Sequence, residues 1–224
     1  MTFRSLLFIP AVAALGVVAG CGSDSGTTGA LGQSSTTADC APNDTACQND
    51  GLDAPLAEGA TLPINVRITA KGVAAPKLTL ESARTDVVAV DSGQLVGKGA
   101  GFSSVLMLGE GGVVMDFVTL TVERPDRVEL YRLDASGGAE PSPLPQKIQL
   151  APGDDFEVSV KAFSGATRLL GELDGGWSLE GNAAMMLDSG RKGSRRVRAK
   201  APGSARLVIK TSSFEKSLDL EVLP

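Results

Sequence analysis

The sequence predicts an all-β protein in which two β-sandwiches follow a signal peptide and a disordered tether. Two observations predict the sandwiches. Apolar residues alternate with other residues in short segments from residue 56 onward, as half-buried strands require. Four blocks of sequence then recur in the same order about 100 residues later, as they would after duplication of a domain. A third observation concerns the first 55 residues, which read as a leader and a linker.

Residues 1–20 have the layout of a secretory signal peptide. One positive charge, Arg4, precedes an apolar run of 14 residues from Leu6 to Ala19, and small residues follow. The run is shorter than the roughly 20 residues that a membrane-spanning helix needs. We therefore expect these residues to direct export and not to form part of the fold.

The leader ends in Val18-Ala19-Gly20-Cys21. This segment resembles the lipobox of bacterial lipoproteins, in which the chain is cleaved before the cysteine. The resemblance implies a thioether-linked diacylglycerol and an amide-linked acyl chain on Cys21, and several acyl chains anchor a protein stably. Because Gly22 follows the cysteine where Asp would favour the inner membrane, the family rule points to the outer membrane of a Gram-negative cell. The alternative is an ordinary signal peptide followed by a chance cysteine.

Residues 21–55 are predicted to form the lipidated cysteine and a flexible acidic linker. From Gly22 to Ala54 the chain has no Lys, Arg, aromatic residue, Val, Ile or Met, so it buries too little apolar surface to offset its ordering entropy. With Cys21 lipidated, Cys40 and Cys47 remain, and the Pro-Asn-Asp turn between them allows a disulfide in an oxidising compartment. The alternative is a redox-active pair, for which a closer spacing is typical.

The linker also holds the carboxylates Asp39, Asp44, Asp50 and Asp53. The stretch 49–53 has some likeness to a calcium loop, but it lacks the three alternating oxygen ligands and the distal Glu of an EF-hand. We expect a solvated acidic segment here and predict no metal site, although calcium binding by residues 39–53 stays an open alternative.

Residues 56–125 are predicted to form the first sandwich. Apolar residues alternate over 62–69 and 118–122, and four shorter apolar segments between them are bounded by Gly, Asp or Ser. About seven short strands at this spacing are typical of a sandwich. Since a copy of about 70 residues has a small core, we expect it to lean on its neighbour.

Residues 126–224 are predicted to form the second sandwich because they repeat the first. The repeats lie 94, 97, 102 and 100 residues apart, and they pair 57–62 with 151–156, 90–93 with 187–190, 101–105 with 203–207, and 118–122 with 218–222. The domain boundary falls near Pro125-Asp126.

These blocks resemble bacterial immunoglobulin-like domains of the intimin and invasin type (group 2). Hallmarks of that family are a Val-Asp-x-x-Gly hairpin, a Gly-x-Ala-x-Val strand and a final alternating strand. The second copy matches better, since Trp177 stands where the family commonly places a Trp, whereas the first copy has Leu80-Glu81-Ser82. The resemblance implies two immunoglobulin-like sandwiches, and a lone tryptophan in such a sandwich is expected in the core.

Six basic residues lie within ten positions of the second copy, namely Arg191, Lys192, Arg195, Arg196, Arg198 and Lys200. One interpretation is an edge hairpin kept soluble by its cations, because alternate residues over 196–200 are basic. The other is an anion-binding patch for a polyanionic partner. The two are compatible, since a solvated basic strand is also an available surface.

The amino-acid composition argues against several classes of function. Without histidine, the chain has no Ser-His-Asp or Cys-His nucleophile system, and its formal net charge of −5 argues against nucleic-acid binding. We therefore expect no enzyme and no cofactor. The expected function is that of an exported, membrane-anchored envelope lipoprotein acting as a structural or adhesive module toward an envelope or extracellular protein. The alternative is a polyanion or glycan receptor that uses the basic strand at 191–200.

Overall fold

The computed structural model describes residues 28–29, 32–40, 45–69, 76–135, 138–139, 141–173, 175–190, 193–211 and 213–224. Within these ranges the protein is all-β, as predicted. Nineteen strands accompany one short helix, α1 (Thr45–Asp50), and two 3-10 turns, Gly51–Asp53 and Glu110–Gly112. The predicted signal peptide 1–20 and Cys21 lie outside the described residues.

The first sandwich consists of two facing sheets. Its strands are β1 (Thr28–Gly29), β2 (Gly32–Ala38), β3 (Leu56–Ala57), β4 (Ala60–Thr69), β5 (Thr79–Ser82), β6 (Val88–Asp91), β7 (Gln94–Gly97), β8 (Gly101–Leu108) and β9 (Val114–Glu123). One sheet has the order β1-β2-β4-β7-β6 and the other the order β3-β9-β8-β5. Neighbouring strands are antiparallel, except that β3 runs parallel to β9.

The second sandwich repeats this arrangement. Its strands, together with one strand that joins the first sandwich, are β10 (Arg127–Leu133), β11 (Lys147–Leu150), β12 (Asp155–Ser164), β13 (Thr167–Arg168), β14 (Glu172–Leu173), β15 (Gly176–Gly181), β16 (Ala184–Asp188), β17 (Ser194–Ala199), β18 (Gly203–Lys210) and β19 (Glu215–Val222). The sheets have the orders β10-β12-β17-β16 and β11-β19-β18-β15, with β11 parallel to β19. The domains are therefore two immunoglobulin-like sandwiches with the same topology.

The repeated sequence blocks occupy equivalent places in the two domains. Gly101 and Gly203 each begin the strand next to the last and have φ angles of 146° and 141°. Gly59 and Gly153 precede β4 and β12 with φ angles of 84° and 93°. Because these backbone conformations match as well as the residues, the structure supports the duplication inferred from the sequence.

The structure differs from the expected linker at residues 32–38, which form β2 and pair with β4. Their inward side chains are polar, and Ser34 and Thr36 are both buried. The Ser34 hydroxyl donates to a carboxylate oxygen of Asp116, itself buried on β9. This polar segment folds because the sheet opposite supplies a polar partner inside the core. One sheet of the first sandwich therefore includes β1 and β2, which lie within the residues predicted as a linker.

The two domains meet in a hydrogen-bonded junction. Strand β14 pairs with the first two residues of β4, although it follows the second domain's own strands β12 and β13. The Leu170 amide donates to the Pro55 carbonyl at 2.8 Å, and the Ala57 amide donates to the Leu170 carbonyl at 3.0 Å. Leu56, Leu170 and Leu173 are buried here, and the apolar core is continuous from one sandwich to the other. The first copy thus leans on its neighbour, as expected.

Candidate binding surfaces

The disulfide lies where the sequence places it. Cys40 and Cys47 are bonded, with their Cα atoms 5.7 Å apart, in the connection between β2 and β3. Cys47 is buried and belongs to the core, so the bridge fastens this connection to the first sandwich. Among the described residues no three His, Cys, Asp or Glu side chains are placed to hold a metal ion together. Asp44, one of the carboxylates considered for calcium, lies outside the described residues.

The basic strand of the second domain is β17. Arg196, Arg198 and Lys200 are exposed while Val197 and Ala199 are buried, as the alternation predicts. The hairpin is at the edge of its sheet, but the edge strand is β16, and β17 lies between β12 and β16. Arg191 and Lys192 lie outside the described residues.

One carboxylate holds two of these arginines. Arg196 Nε donates to Asp155 Oδ1 at 2.6 Å, and Arg198 donates to Asp155 Oδ2 at 2.8 Å. The hydrogen bond from Arg196, aided by that from Arg198, lowers the pKa of the Asp155 carboxyl against the opposing effect of burial. The same pairing raises the pKa of the Arg196 guanidinium. A bound anion would have to compete with Asp155 for both guanidinium groups.

Arg195 points the other way, toward the inside of the sandwich. Its guanidinium lies 6.0 Å from the centroid of the Trp177 ring and donates to the Ser194 carbonyl at 2.6 Å. Trp177 is half-buried and packs against the core, so the lone indole has the structural place that the sequence predicts. Of the six basic residues considered as an anion site, the structure places Arg196 and Arg198 on the exposed face of β17 and leaves Lys200 exposed just after its end.

An aromatic cluster on the outer face of β10 and β12 escaped sequence reasoning. The Arg127 guanidinium covers the Phe163 ring at 4.4 Å, and Tyr131 stacks on that ring at 6.5 Å between centroids. The Tyr131 hydroxyl donates to Glu129 at 2.9 Å. Burial, together with this hydrogen bond, raises the pKa of Tyr131 to about 12. Arg127 covers the Phe163 ring from above, so this ring is poorly placed to stack on a sugar.

The paired outward residues of β8 and β9 are uncharged in the first domain but not in the second, and we call them the uncharged face, which Glu81 and Glu123 border. Alternate residues of β8 and β9 point away from the core, and these outward residues are Phe102, Ser104, Leu106, Leu108, Val114, Phe117, Thr119 and Thr121. The register aligns them with Ser204, Arg206, Val208, Lys210, Glu215, Ser217, Asp219 and Glu221 of the second domain. There Arg206 bonds Asp219 at 2.7 Å and Lys210 approaches Glu215 at 3.6 Å. The two copies therefore differ in charge on this face.

Large hydrophobic side chains are exposed on the uncharged face. Phe102 is 65% exposed, Phe117 54% and Val114 52%, and Val113 beside them is 60% exposed. Phe102 and Phe117 are also the sole aromatic residues between Cys21 and Asp126 of the sequence. A domain whose aromatic residues face water and not its core presents a surface suited to binding. Alternation in the sequence could not predict this exposed apolar surface. It separates two sets of alternate residues but does not show which set faces water.

The two ends of the first sandwich are distinct. The backbone carbonyl of Glu123, at the end of β9, accepts a 2.8 Å hydrogen bond from the backbone amide of Glu58 beside the domain junction. The opposite end holds the loop between β8 and β9, and there Gln33 of β2 lies across from Thr69 of β4. The described chain therefore enters the molecule at the end of the first domain far from the second. None of the helices described in the structure is long and apolar enough to span a membrane.

Comparison with known proteins gave structural likenesses alone. No family model and no curated protein matches the chain. Domains 4 and 5 of the S-layer protein SbsC are 18% identical over 70% of this chain and 82% of that one, with a TM-score of 0.28. The Escherichia coli adhesin FdeC is 14% identical over 88% of this chain and 64% of that one, with a TM-score of 0.31. Titin-A168169 is 13% identical over 76% and 95%, with a TM-score of 0.27. The function proposed below rests on this chain's own residues.

Proposed function

We propose that this chain is a lipid-anchored envelope protein of the outer membrane and that it acts as a non-enzymatic structural or adhesive module. In this role Cys21 holds the first domain near the membrane, and the first domain carries the second domain outward toward an envelope or extracellular partner. The module acts by holding its second domain at a distance from the membrane, where that domain contacts the partner.

The domain junction is the observation that carries this proposal. Two immunoglobulin-like domains joined by a free linker would sample many orientations, and the second would be placed at random with respect to the membrane. Here β14 of the second domain adds to the sheet of the first, and Leu56, Leu170 and Leu173 are buried between them. Because the chain enters at the opposite end, the junction supports a spacer in which the second domain lies farther from the anchor.

The anchor is tested by removing its cysteine. We expect Cys21→Ala to keep its leader and to lack acyl chains, whereas the wild-type protein loses its leader and carries acyl chains on its N-terminal peptide by mass spectrometry. A matched control is the double variant Cys40→Ser, Cys47→Ser, which removes the same atom type from the disulfide and should still be lipidated. An unchanged membrane fraction and unchanged processing in Cys21→Ala would rule the anchor out.

The alternative proposal is a polyanion receptor that uses the exposed face of β17. Arg196, Arg198 and Lys200 support it by their exposure, and Asp155 weakens it by holding two of the three. Binding of a sulfated polysaccharide, measured over a range of ionic strength, distinguishes the polyanion receptor from the structural or adhesive module. A receptor of this kind should lose affinity steeply as salt rises and lose binding in Arg196→Glu with Arg198→Glu, while Arg206→Glu on the other sheet should retain it. No binding by the wild-type protein at low salt would remove this alternative.

A further inference from the structure

The part of the uncharged face farthest from the second domain forms an apolar tip. We call Leu108, Val113, Val114 and Phe117 the hairpin tip cluster, since they surround the turn between β8 and β9. The turn itself is Gly109-Glu110-Gly111-Gly112, closed by a 2.8 Å hydrogen bond from the Gly109 amide to the Val113 carbonyl. Val113 and Val114 are more than half exposed.

The same turn in the second domain has the opposite character. It begins after Lys210, and the amides of Ser213 and Phe214 donate to the Thr211 hydroxyl at 3.3 and 3.0 Å. Phe214 is half-buried and packs against the core. The strands beside this turn end in the charged pair of Lys210 and Glu215. An apolar tip is therefore a property of the first copy and does not follow from the fold.

The chain length before the first domain fixes which surface this tip can meet. Strand β1 is paired beside β2, and seven residue steps separate Thr28 from Cys21. Fully extended, they span roughly 25 Å at about 3.5 Å per residue. The ten residues of β9 alone span about 34 Å at roughly 3.4 Å each. A lipid on Cys21 therefore holds the entry end of the first domain within one domain length of the membrane, and the hairpin tip cluster is at that end.

Charge near the tip suits a lipid surface. Lys77 is exposed just before β5, whose first residue lies opposite Leu108, and Arg67 is exposed near the end of β4. Glu110 is exposed on the turn itself. Lys77 and Arg67 outnumber the one acid on the turn, and cations beside an apolar cluster favour its approach to phospholipid headgroups.

We infer that the hairpin tip cluster of the first domain docks into the interfacial region of the membrane that holds Cys21. This inference rests on the proposed anchor and adds to it a second contact. A lipid chain alone leaves a domain free to turn about its tether. Insertion of Val113 and Val114 at the same end stands the first domain upright, so the junction directs the second domain away from the bilayer.

The test places a tryptophan at the tip in a protein whose anchor is supplied chemically. Trp177→Phe removes the native indole, and Val113→Trp adds one at the tip. The chain from Cys21 is then coupled through that thiol to vesicles of zwitterionic and anionic phospholipid that include a maleimide lipid and brominated acyl chains. Phe102→Trp on the same background is the matched control, because it lies on the same face at the other end of β8 and is equally accessible to water.

We expect brominated lipid to quench Val113→Trp and shift its emission to the blue, and to leave Phe102→Trp unquenched. Adding Val114→Asp to Val113→Trp should abolish the quenching without changing the thermal unfolding temperature, because Val114 is an exposed residue.

Three results would overturn the inference: no quenching of Val113→Trp on coupled vesicles, equal quenching of both tryptophans, or a blue shift that depends on protein concentration without vesicles, as contact between two copies would give. Because coupling replaces cellular lipidation, these results are independent of the Cys21→Ala experiment.

Discussion

Gly171 lies where the two domains pack against each other. Its φ angle is +90°, and a Cβ placed on it would lie 2.8 Å from Leu56 Cδ1 and 2.9 Å from the Ala60 Cβ. A side chain here would therefore be strained by the left-handed backbone conformation and would also clash with Leu56 and Ala60. The junction depends on this glycine because β14 must turn sharply to reach β4.

We expect Gly171→Ala to lower the free energy of unfolding by about 2 kcal/mol more than Gly165→Ala does. Gly165 also has a positive φ angle, +56°, but a Cβ there meets no atom within 4 Å, so it reports the backbone cost alone. Urea unfolding of the two variants measures the difference. Equal losses would mean that the close approach contributes nothing to stability.

Asp155 gives the second domain a dependence on pH. Because the folded protein lowers the pKa of this carboxyl, chiefly through Arg196, the stabilisation is present above the unfolded pKa of about 3.9 and is lost as pH falls through the folded value. We expect Asp155→Asn to reduce stability at pH 7 by about 1 kcal/mol or less and to flatten the loss of stability below pH 4. Thermal unfolding from pH 7 to pH 2.5 measures this. A variant whose stability falls as steeply with acid as the wild type's would contradict it.

Among the elements, β2 shows where sequence reasoning stops. The strands of both sandwiches follow from alternation, and β4, β8 and β9 lie where the apolar residues predict them. Residues 32–38 hold no large apolar residue, so their composition indicates a linker. They form a strand by pairing with β4, and Asp116, 82 positions after Ser34, accepts the Ser34 hydroxyl inside the core. A pairing so distant leaves no local signal.

Truncation tests the role of β2 as an element. We expect a chain that starts at Gly32 to unfold within a few degrees of one that starts at Gly22, whereas a chain that starts at Asp39 should lose much of the first domain's stability. The longer deletion exposes the edge of β4 and leaves the buried Asp116 without its hydroxyl donor, and an unsatisfied buried group costs about 1–3 kcal/mol or more if charged. Calorimetry of the three chains measures this. Equal stability of the chains that start at Gly32 and at Asp39 would mean that β2 is dispensable.

At the scale of the whole molecule, the sequence predicted the domain duplication but did not predict how the surfaces of the two copies differ. Nearly constant spacing between the blocks predicted two sandwiches and placed Gly101 and Gly203 in equivalent positions. The divergence of the two copies was hidden, because which face of β8 meets water is set by the sheet packed behind it. The basic strand illustrates the same limit: its alternation was predicted correctly, but its neutralisation by Asp155 depends on the neighbouring strand β12.

The continuous core predicts that the two domains unfold together. Leu173 is 3% exposed and stands on β14, which belongs to the second domain by sequence and to the first by pairing. Replacing it with Ala removes apolar contact from both domains at once, and truncation of a buried Leu costs about 2–5 kcal/mol. We expect one calorimetric transition for the wild-type protein, and for Leu173→Ala two transitions, because loss of the junction uncouples the sandwiches. Leu223→Ala, at a residue 40% exposed in the same domain, should keep a single transition near the wild-type temperature. Two transitions in the wild-type protein would show that the junction does not couple the domains, and the second domain would then lack the fixed position that the proposed module requires.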